Sequence, residues 1–225
     1  MESGIDPGLM RDWLTGWTLA RRTPAPVAEG DHWFVDVGWP EQKRRYVFCG
    51  PSHKIAELAR TIRDPWVFLK GCMPDTAMAG LLPDGWMLTP PRFMMTCEAL
   101  QPLAPTLPAG YRLEVDSGAA IPSATIMDCS GGPVATGQVV QSGARAIFDS
   151  IKVGDGHRRR GVGRALVGAL TEMARNRGLT QGVLVATQEG RALYESLGWR
   201  FHAPYASAVR DIQRANQEAR PFGLR

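Results

Sequence analysis

The chain has 225 residues, 44% of them hydrophobic and 21% charged. That is globular composition, long enough to bury one large core or two small ones, and it excludes wholesale disorder. The net charge is only +4. The arginine excess gathers at Arg158, Arg159, Arg160 and Arg164, and again at Arg210, Arg214, Arg220 and Arg225. Such clusters suit a phosphorylated cofactor, an acidic substrate or nucleic acid, and charge alone does not choose between them. The cysteines (Cys49, Cys72, Cys97, Cys129) stand far apart with no Cys-x-x-Cys pair, and no histidine falls at metal-ligand spacing. They read as reduced thiols, and no metal is expected. The first residues carry an acid where a secretory signal is basic, and no run reaches about 18 apolar residues. The expectation is a cytoplasmic protein with no membrane contact.

In chain order, apolar residues at Leu9, Trp13, Leu14 and Trp17 give a helix over residues 8–20. Strands follow at 32–38 and 44–49. Ser52 caps a helix over 53–63, whose face is Ile55, Leu58, Ala59 and Ile62. A buried strand at 66–70, a short helix at 75–82 and a strand ending at Met95 complete the first part. Residues 101–110 hold three prolines, the composition of a linker. Beyond it, strands at 111–116, 124–129, 134–141 and 145–153 read as an antiparallel meander. A helix over 163–177, ended by Gly178, then a strand at 183–186, a helix over 189–197 and an extended segment at 199–209 follow.

Helix, strand, short helix, Gly-Trp and strand describe residues 53–95 and equally residues 163–209, with Gly85-Trp86 matching Gly198-Trp199. Either the first part is a degenerate copy of the second, or helix–strand alternation recurs by chance.

The chemistry concentrates in the turn between residues 153 and 163. A helix start presents N–H groups with no intrahelical partner at the positive end of the dipole, which is a site for an anion. Gly161 and Gly163 let the backbone approach a pyrophosphate and take positive φ, while Arg158, Arg160 and Arg164 surround the spot with guanidinium donors. A nucleotide P-loop needs Gly-Lys-Ser/Thr, which is missing. A dinucleotide fingerprint needs its first glycine directly after the strand and a third glycine, and both are missing too.

Arg158-Arg-Arg-Gly161-Val-Gly163, read as Gln/Arg-x-x-Gly-x-Gly/Ala, resembles motif A of the GNAT N-acetyltransferase superfamily. The apolar strand ending at Val153 and Ala165-Leu166 opening the helix flank it as in that family. Leu193-Tyr194-Glu-Ser-Leu197-Gly198-Trp199 is similar to the family's second signature. The resemblance covers residues 111–209.

It implies an α/β (α+β) fold with a GNAT-like mixed, mainly antiparallel sheet and helices on both faces, preceded by a smaller α/β region. The chain is divided accordingly: residues 1–100, a linker at 101–110, an acyl-CoA-binding catalytic domain at 111–210 and a basic tail at 211–225. Acetyl-CoA would lie in a V-shaped opening between the strands at 146–153 and 183–187. The N–H groups of Arg159, Arg160, Gly161, Val162, Gly163 and Arg164 would hold its pyrophosphate, and backbone groups near Ile151 and Val153 its pantetheine arm. Tyr194 matches the tyrosine that protonates the departing thiolate, as a phenol can; alternatively its ring only packs. For the general base, Asp149 is the candidate in an otherwise apolar strand, or it lies on a solvated face. Asp155 shapes the turn, and His157 is positioned to add a phosphate contact.

One departure concerns the acceptor. The family carries two helices between its first and second strands, and here Asp116 is followed too soon by Ile121-Pro for both. The wall must come from residues 1–100 or from the second subunit of a homodimer, with Trp13, Trp17, Trp33 and Trp39 as candidates, unless they serve the core. The expected function is transfer of an acetyl or other short acyl group from acyl-CoA to the amine of a small molecule or a protein. The alternative is a non-catalytic acyl-CoA-binding regulatory module. Nucleic-acid binding ranks last, because no aromatics interleave with the arginines.

Overall fold

The computed structural model describes residues 4–210, and the basic tail assigned to 211–225 lies outside them. Its first elements are α1 (Pro7–Arg21), β1 (Val27–Glu29), β2 (His32–Trp39), β3 (Gln42–Phe48), α2 (His53–Thr61), β4 (Val67–Gly71), α3 (Asp75–Leu81), β5 (Trp86–Leu88) and β6 (Arg92–Cys97). Then come β7 (Tyr111–Asp116), β8 (Ser123–Asp128), β9 (Pro133–Ser142), β10 (Arg145–Val153), α4 (Val162–Arg175), β11 (Gln181–Thr187), α5 (Gln188–Ser196) and β12 (Arg200–Arg210). The fold is mixed α/β with a mainly antiparallel open sheet. No helix among the described residues is long and apolar enough to cross a membrane.

Two compact units share the chain, and neither is continuous. Among the described residues the first takes 4–10, 23–94 and 203–210; the second takes 11–22 and 95–202. This differs from the linear division at 101–110. Most of α1 joins the second unit, and the end of β12 joins the first.

In the first unit the strand order is β1-β2-β3-β4-β12, with β5 also pairing β12. β3 and β4 are parallel, joined by α2 as crossover. α2 buries Ile55 and Ala59 against Phe48, Leu69, Met73, Met78, Ala206 and Ala208. Each large apolar side chain among these contributes roughly 1.5–3 kcal/mol by leaving water. Ser52 caps α2 as expected, its Oγ accepting from Lys54 N at 3.0 Å.

In the second unit the order is β11-β10-β9-β8-β7, antiparallel except for the parallel pair β10–β11 joined by α4. α4 packs across β8, β9 and β10. A Cβ at Gly137 on β9 would lie 2.8 Å from Leu170 and 3.5 Å from Leu166, so glycine there lets α4 sit close. The opposite face receives α1. Gly16 lies directly over Ile147, with no room for a Cβ, and Trp13 and Trp17 are each 3% exposed. These two tryptophans pack as core.

The same β-α-β-α unit therefore occurs twice, as β3-α2-β4-α3 and as β10-α4-β11-α5. Gly85 (φ 91°) and Gly198 (φ 84°) both turn left-handed ahead of a tryptophan that packs inward. Trp86 Nε1 donates to Ala59 O at 3.1 Å, and Trp199 is 4% exposed.

Residues 101–110 form neither helix nor strand, yet they are packed within the second unit and are not a free linker. Leu103 N donates to Glu172 Oε1 at 3.2 Å, and Arg175 Nη1 donates to Leu100 O at 3.1 Å. A Cβ at Gly168 would stand 2.8 Å from Leu103 O, so α4 carries glycine where this strap crosses it.

Candidate functional site

β10 and β11 begin as an in-register parallel pair: Arg145 with Gln181, Ala146 with Gly182, Ile147 with Val183. Their pairing ends there, although β10 runs on to Val153 and β11 to Thr187. On its other edge β10 stays bonded to β9, but the register slips by one residue between Asp149, opposite Gln138, and Lys152, opposite Thr136. Ser150 inside this bulge has φ 54°. A bulge bends its strand and increases the twist, so β10 turns away from β11 and a gap opens between them. The gap is lined by main-chain groups that no ladder uses.

Past β10 the chain makes a short turn, with Gly154 N donating to Val134 O at 2.8 Å. Arg159 (φ 58°) and Gly161 (φ 81°) are both left-handed. Gly161 is the residue before α4, and no side chain caps that helix. Among the described residues the first-turn N–H groups of α4 therefore have neither a backbone nor a side-chain partner, and they sit at the positive end of a 14-residue helix. That is an anion site by construction. Arg159, Arg160 and Arg164 are exposed beside it.

One expectation is corrected here. Gly161 needs its left-handed φ, but Gly163 is helical and serves packing: a Cβ on it would lie 3.1 Å from Leu193 and 3.6 Å from Val153. His157 is oriented by Tyr111, whose Oη lies 2.9 Å from Nδ1. Arg158 bonds two carboxylates, Asp155 at 2.8 Å and Glu189 at 3.1 Å. Its side chain is 50% exposed, so these pairs contribute only about 0–1 kcal/mol and yield readily to a phosphate.

Tyr194 projects from α5, whose first turn is fixed by Thr187 Oγ1 accepting from Gly190 N at 3.0 Å. Its ring centroid lies 5.8 Å from that of Trp199, and Trp199 stands edge-on to Phe148 at 5.0 Å. These rings set the orientation of the phenol. Burial, and secondly the charge on Asp149, push the Tyr194 pKa above the usual phenol value. The phenol is thus protonated at neutral pH, and the two sequence-derived catalytic candidates lie within electrostatic reach of each other.

Asp149 is not on a freely solvated face. Arg21 Nε donates to its Oδ2 at 2.7 Å and Nη2 to its Oδ1 at 3.2 Å, and Ser150 Oγ donates to Oδ2 at 2.9 Å. Of the roughly four acceptor positions on a carboxylate, three are taken. Arg21 also lies over the Trp17 ring, 5.1 Å from its centroid. Sequence reasoning did not find Arg21. Its only local signal is a basic residue in the last turn of α1, which the helix dipole alone would explain. Among the described residues no three His, Cys, Asp or Glu side chains group as a metal site requires.

The family model described as acetyltransferase (GNAT) domain matches residues 123–201. No curated protein matches the chain. Among solved structures, a GCN5-related N-acetyltransferase from Kribbella flavida aligns with a TM-score of 0.65 at 16% identity, over 90% of this chain and 95% of that one. A GCN5-related N-acetyltransferase-like protein from Streptococcus suis aligns at 0.58 and 13% identity, over 84% of this chain and 88% of that one. A tandem GNAT protein from the clavulanic acid biosynthesis pathway aligns at 0.52 and 15% identity, over 70% of this chain and 67% of that one. At these identities the likeness concerns the fold. It spans nearly all of the chain, so the N-terminal region shares in that fold, and residues 123–201 are the part that matches the acetyltransferase (GNAT) domain model.

Proposed function

We propose that the chain is an acyl-CoA-dependent N-acyltransferase that moves an acetyl or other short acyl group to a primary amine. The observation that carries this reading is the gap between β10 and β11, which starts at the bulge beside Asp149 and leads to the uncapped, arginine-ringed start of α4. A diphosphate suits that start: N–H groups converge on it, and among the described residues no protein group bonds them. Backbone groups of Ile151 and Val153 line the gap where an extended arm can pair.

The donor supplies a thioester carbonyl carbon; the acceptor's ammonium first loses one proton, the freed amine nitrogen bonds to that carbon and gives up a second, the C–S bond breaks, and one proton reaches sulfur. A strand N–H facing the gap stabilises charge developing on the carbonyl oxygen, since it is already oriented and needs no reorganisation. Tyr194 holds the proton that sulfur requires and is kept in place by Trp199 and Phe148. Asp149 keeps one acceptor position, which receives the ammonium group of the acceptor and takes its proton directly or through water. α1, drawn from the N-terminal residues, serves as the acceptor wall, so the wall does not depend on a second subunit.

The test is calorimetry with CoA together with thiol release from acetyl-CoA across an amine panel. Turnover that falls about 10²-fold or more in Tyr194→Phe, with CoA affinity kept, supports the assignment. The occupied lone pairs of Asp149 favour one competing reading, a binding module without turnover. Donor binding with no thiol release from any amine would establish it instead.

A further inference from the structure

The sheet face that receives α1 changes character along the strands. Where α1 lies, the face is apolar, with Ile147 opposite Val140. One step further, Asp149 is opposite Gln138, and Gln138 is opposite Ser123. The next row joins Lys152 to Thr136 and Thr136 to Thr125. Directly opposed residues share a face, so two polar rows run side by side, the first level with Arg21 at the end of α1 and the second past it. At the same depth the reverse face is apolar, Ala124 opposite Gly137 and Ile126 opposite Ala135, under α4. Ordinary alternation would make such a face polar. Two details go beyond alternation. Gln138 Oε1 is buried with no hydrogen-bond partner, although buried acceptors are almost always satisfied. The floor also adjoins the bulge, at Asp149, whose charge reaches Tyr194.

We infer that these rows are the floor of the acceptor subsite and that Gln138 is a specificity-determining residue for a hydrophilic primary amine. The inference rests on the transferase reading above. The acceptor's ammonium group donates to the open position on Asp149 and to Gln138 Oε1, the half-buried amide turning on its flexible stem to meet the donor it lacks. Hydroxyl or carboxylate groups of the acceptor then face Thr125, Thr136 and Lys152. Two residues along a strand span about 6.6 Å, so the second polar group stands about that far from the nitrogen. Amino sugars and ω-amino acids have this reach, whereas an arylalkylamine offers the second row nothing to bond.

The experiment compares D-glucosamine and 4-aminobutyrate with phenethylamine as acceptors for wild type, Gln138→Met and Thr136→Val. Gln138→Met is near-isosteric and Thr136 is exposed, and circular dichroism verifies folding of both. Gln138→Met is expected to raise KM for the hydrophilic amines about tenfold, the loss of one hydrogen bond to a charged donor. CoA affinity and acetyl-CoA KM should stay put, a split that a merely structural role would not produce. Thr136→Val should raise the same KM about threefold. Unchanged amine KM in Gln138→Met, or a higher kcat/KM for phenethylamine, overturns the inference while leaving the transferase reading standing. If wild type binds CoA yet releases no thiol with any amine, that reading fails. Calorimetry of glucosamine into the CoA-loaded protein then decides the floor alone: binding weakened in Gln138→Met supports it, and binding absent or unaltered overturns it.

Discussion

Arg21 and Asp149 are 128 positions apart in the chain and meet through two hydrogen bonds, Nε to Oδ2 at 2.7 Å and Nη2 to Oδ1 at 3.2 Å. A second pair, Asp12 with Arg145, holds the other end of the same helix to the same strand. Nine helical residues rise about 13.5 Å and four strand residues about 13 Å. Helix and strand are thus commensurate between their two pins. Arg21→Ala should cost about 1–2 kcal/mol in urea unfolding, discounted for the 31% exposure of its side chain. It should also lower kcat/KM for the amine more than for acetyl-CoA. Loss confined to stability would show that α1 plays no part in the acceptor site.

The two glycines of the turn should respond differently. At Gly161 any side chain meets φ 81°, so Gly161→Ala should cost about 1–2 kcal/mol and weaken CoA binding measured by calorimetry. Gly163→Ala pushes on Leu193, one residue from Tyr194. Its main effect should be on kcat, with CoA affinity changed little.

Arg158 is shared between Asp155 and Glu189, and a phosphate must compete with both. Glu189→Gln is expected to tighten CoA about two- to fivefold at low salt by removing one competitor, with the gain shrinking at high salt as screening grows. A weaker complex would mean that Glu189 itself supports the donor.

Only one donor site per chain is expected, despite the repeated topology. In the first unit β3 and β4 remain paired to their ends, Phe48 with Gly71, and Cys72 N continues the ladder to Phe48 O at 3.2 Å. Ile5 N donates to Cys49 O at 2.9 Å just beyond, and α2 has its first turn capped by Ser52. Each feature that opens the second unit is closed in the first. Equilibrium dialysis should give one CoA per chain; two would refute this.

Alkaline pH should destabilise the protein more steeply than its surface charges alone would. Burial pushes the Cys49 thiol up to about 11 from the usual 9.0, and burial also raises Cys72, Tyr194 and Tyr205. With folded values above unfolded ones, the stabilisation is complete below about pH 9. It declines as the unfolded thiols and then phenols ionise, by about 1.4 kcal/mol per pH unit and group. Urea midpoints from pH 7 to 11 should fall above pH 9, and Cys72→Ala should flatten the first part of that fall.

Much of this was legible in the residues, because local rules determine it. Ser52 before Ile55, Leu58 and Ala59 specifies a capped amphipathic helix whatever surrounds it, and the left-handed Gly161 ahead of α4 is a local demand as well. What escaped was non-local. Nothing near Arg21 announces Asp149, and nothing near Gly163 announces Leu193, so the packing demand on that glycine went unseen. Three prolines between 101 and 110 made a strap look like a linker, since composition reports stiffness but not what lies underneath. The bulge at Ser150 had no glycine to mark it.

The interlacing of the two units bears on how the chain matures. Residues 11–22 are made early and complete a body whose sheet is synthesised about a hundred residues later, while the body built from 23–94 waits for residues 203–210. Neither half can reach its final form on the ribosome before most of the other has emerged. Assembly should therefore be a late, concerted event, with long-range closure rather than local helix formation as its slow step. Cutting the gene at the proline-rich strap would give two fragments that each lack a piece of themselves.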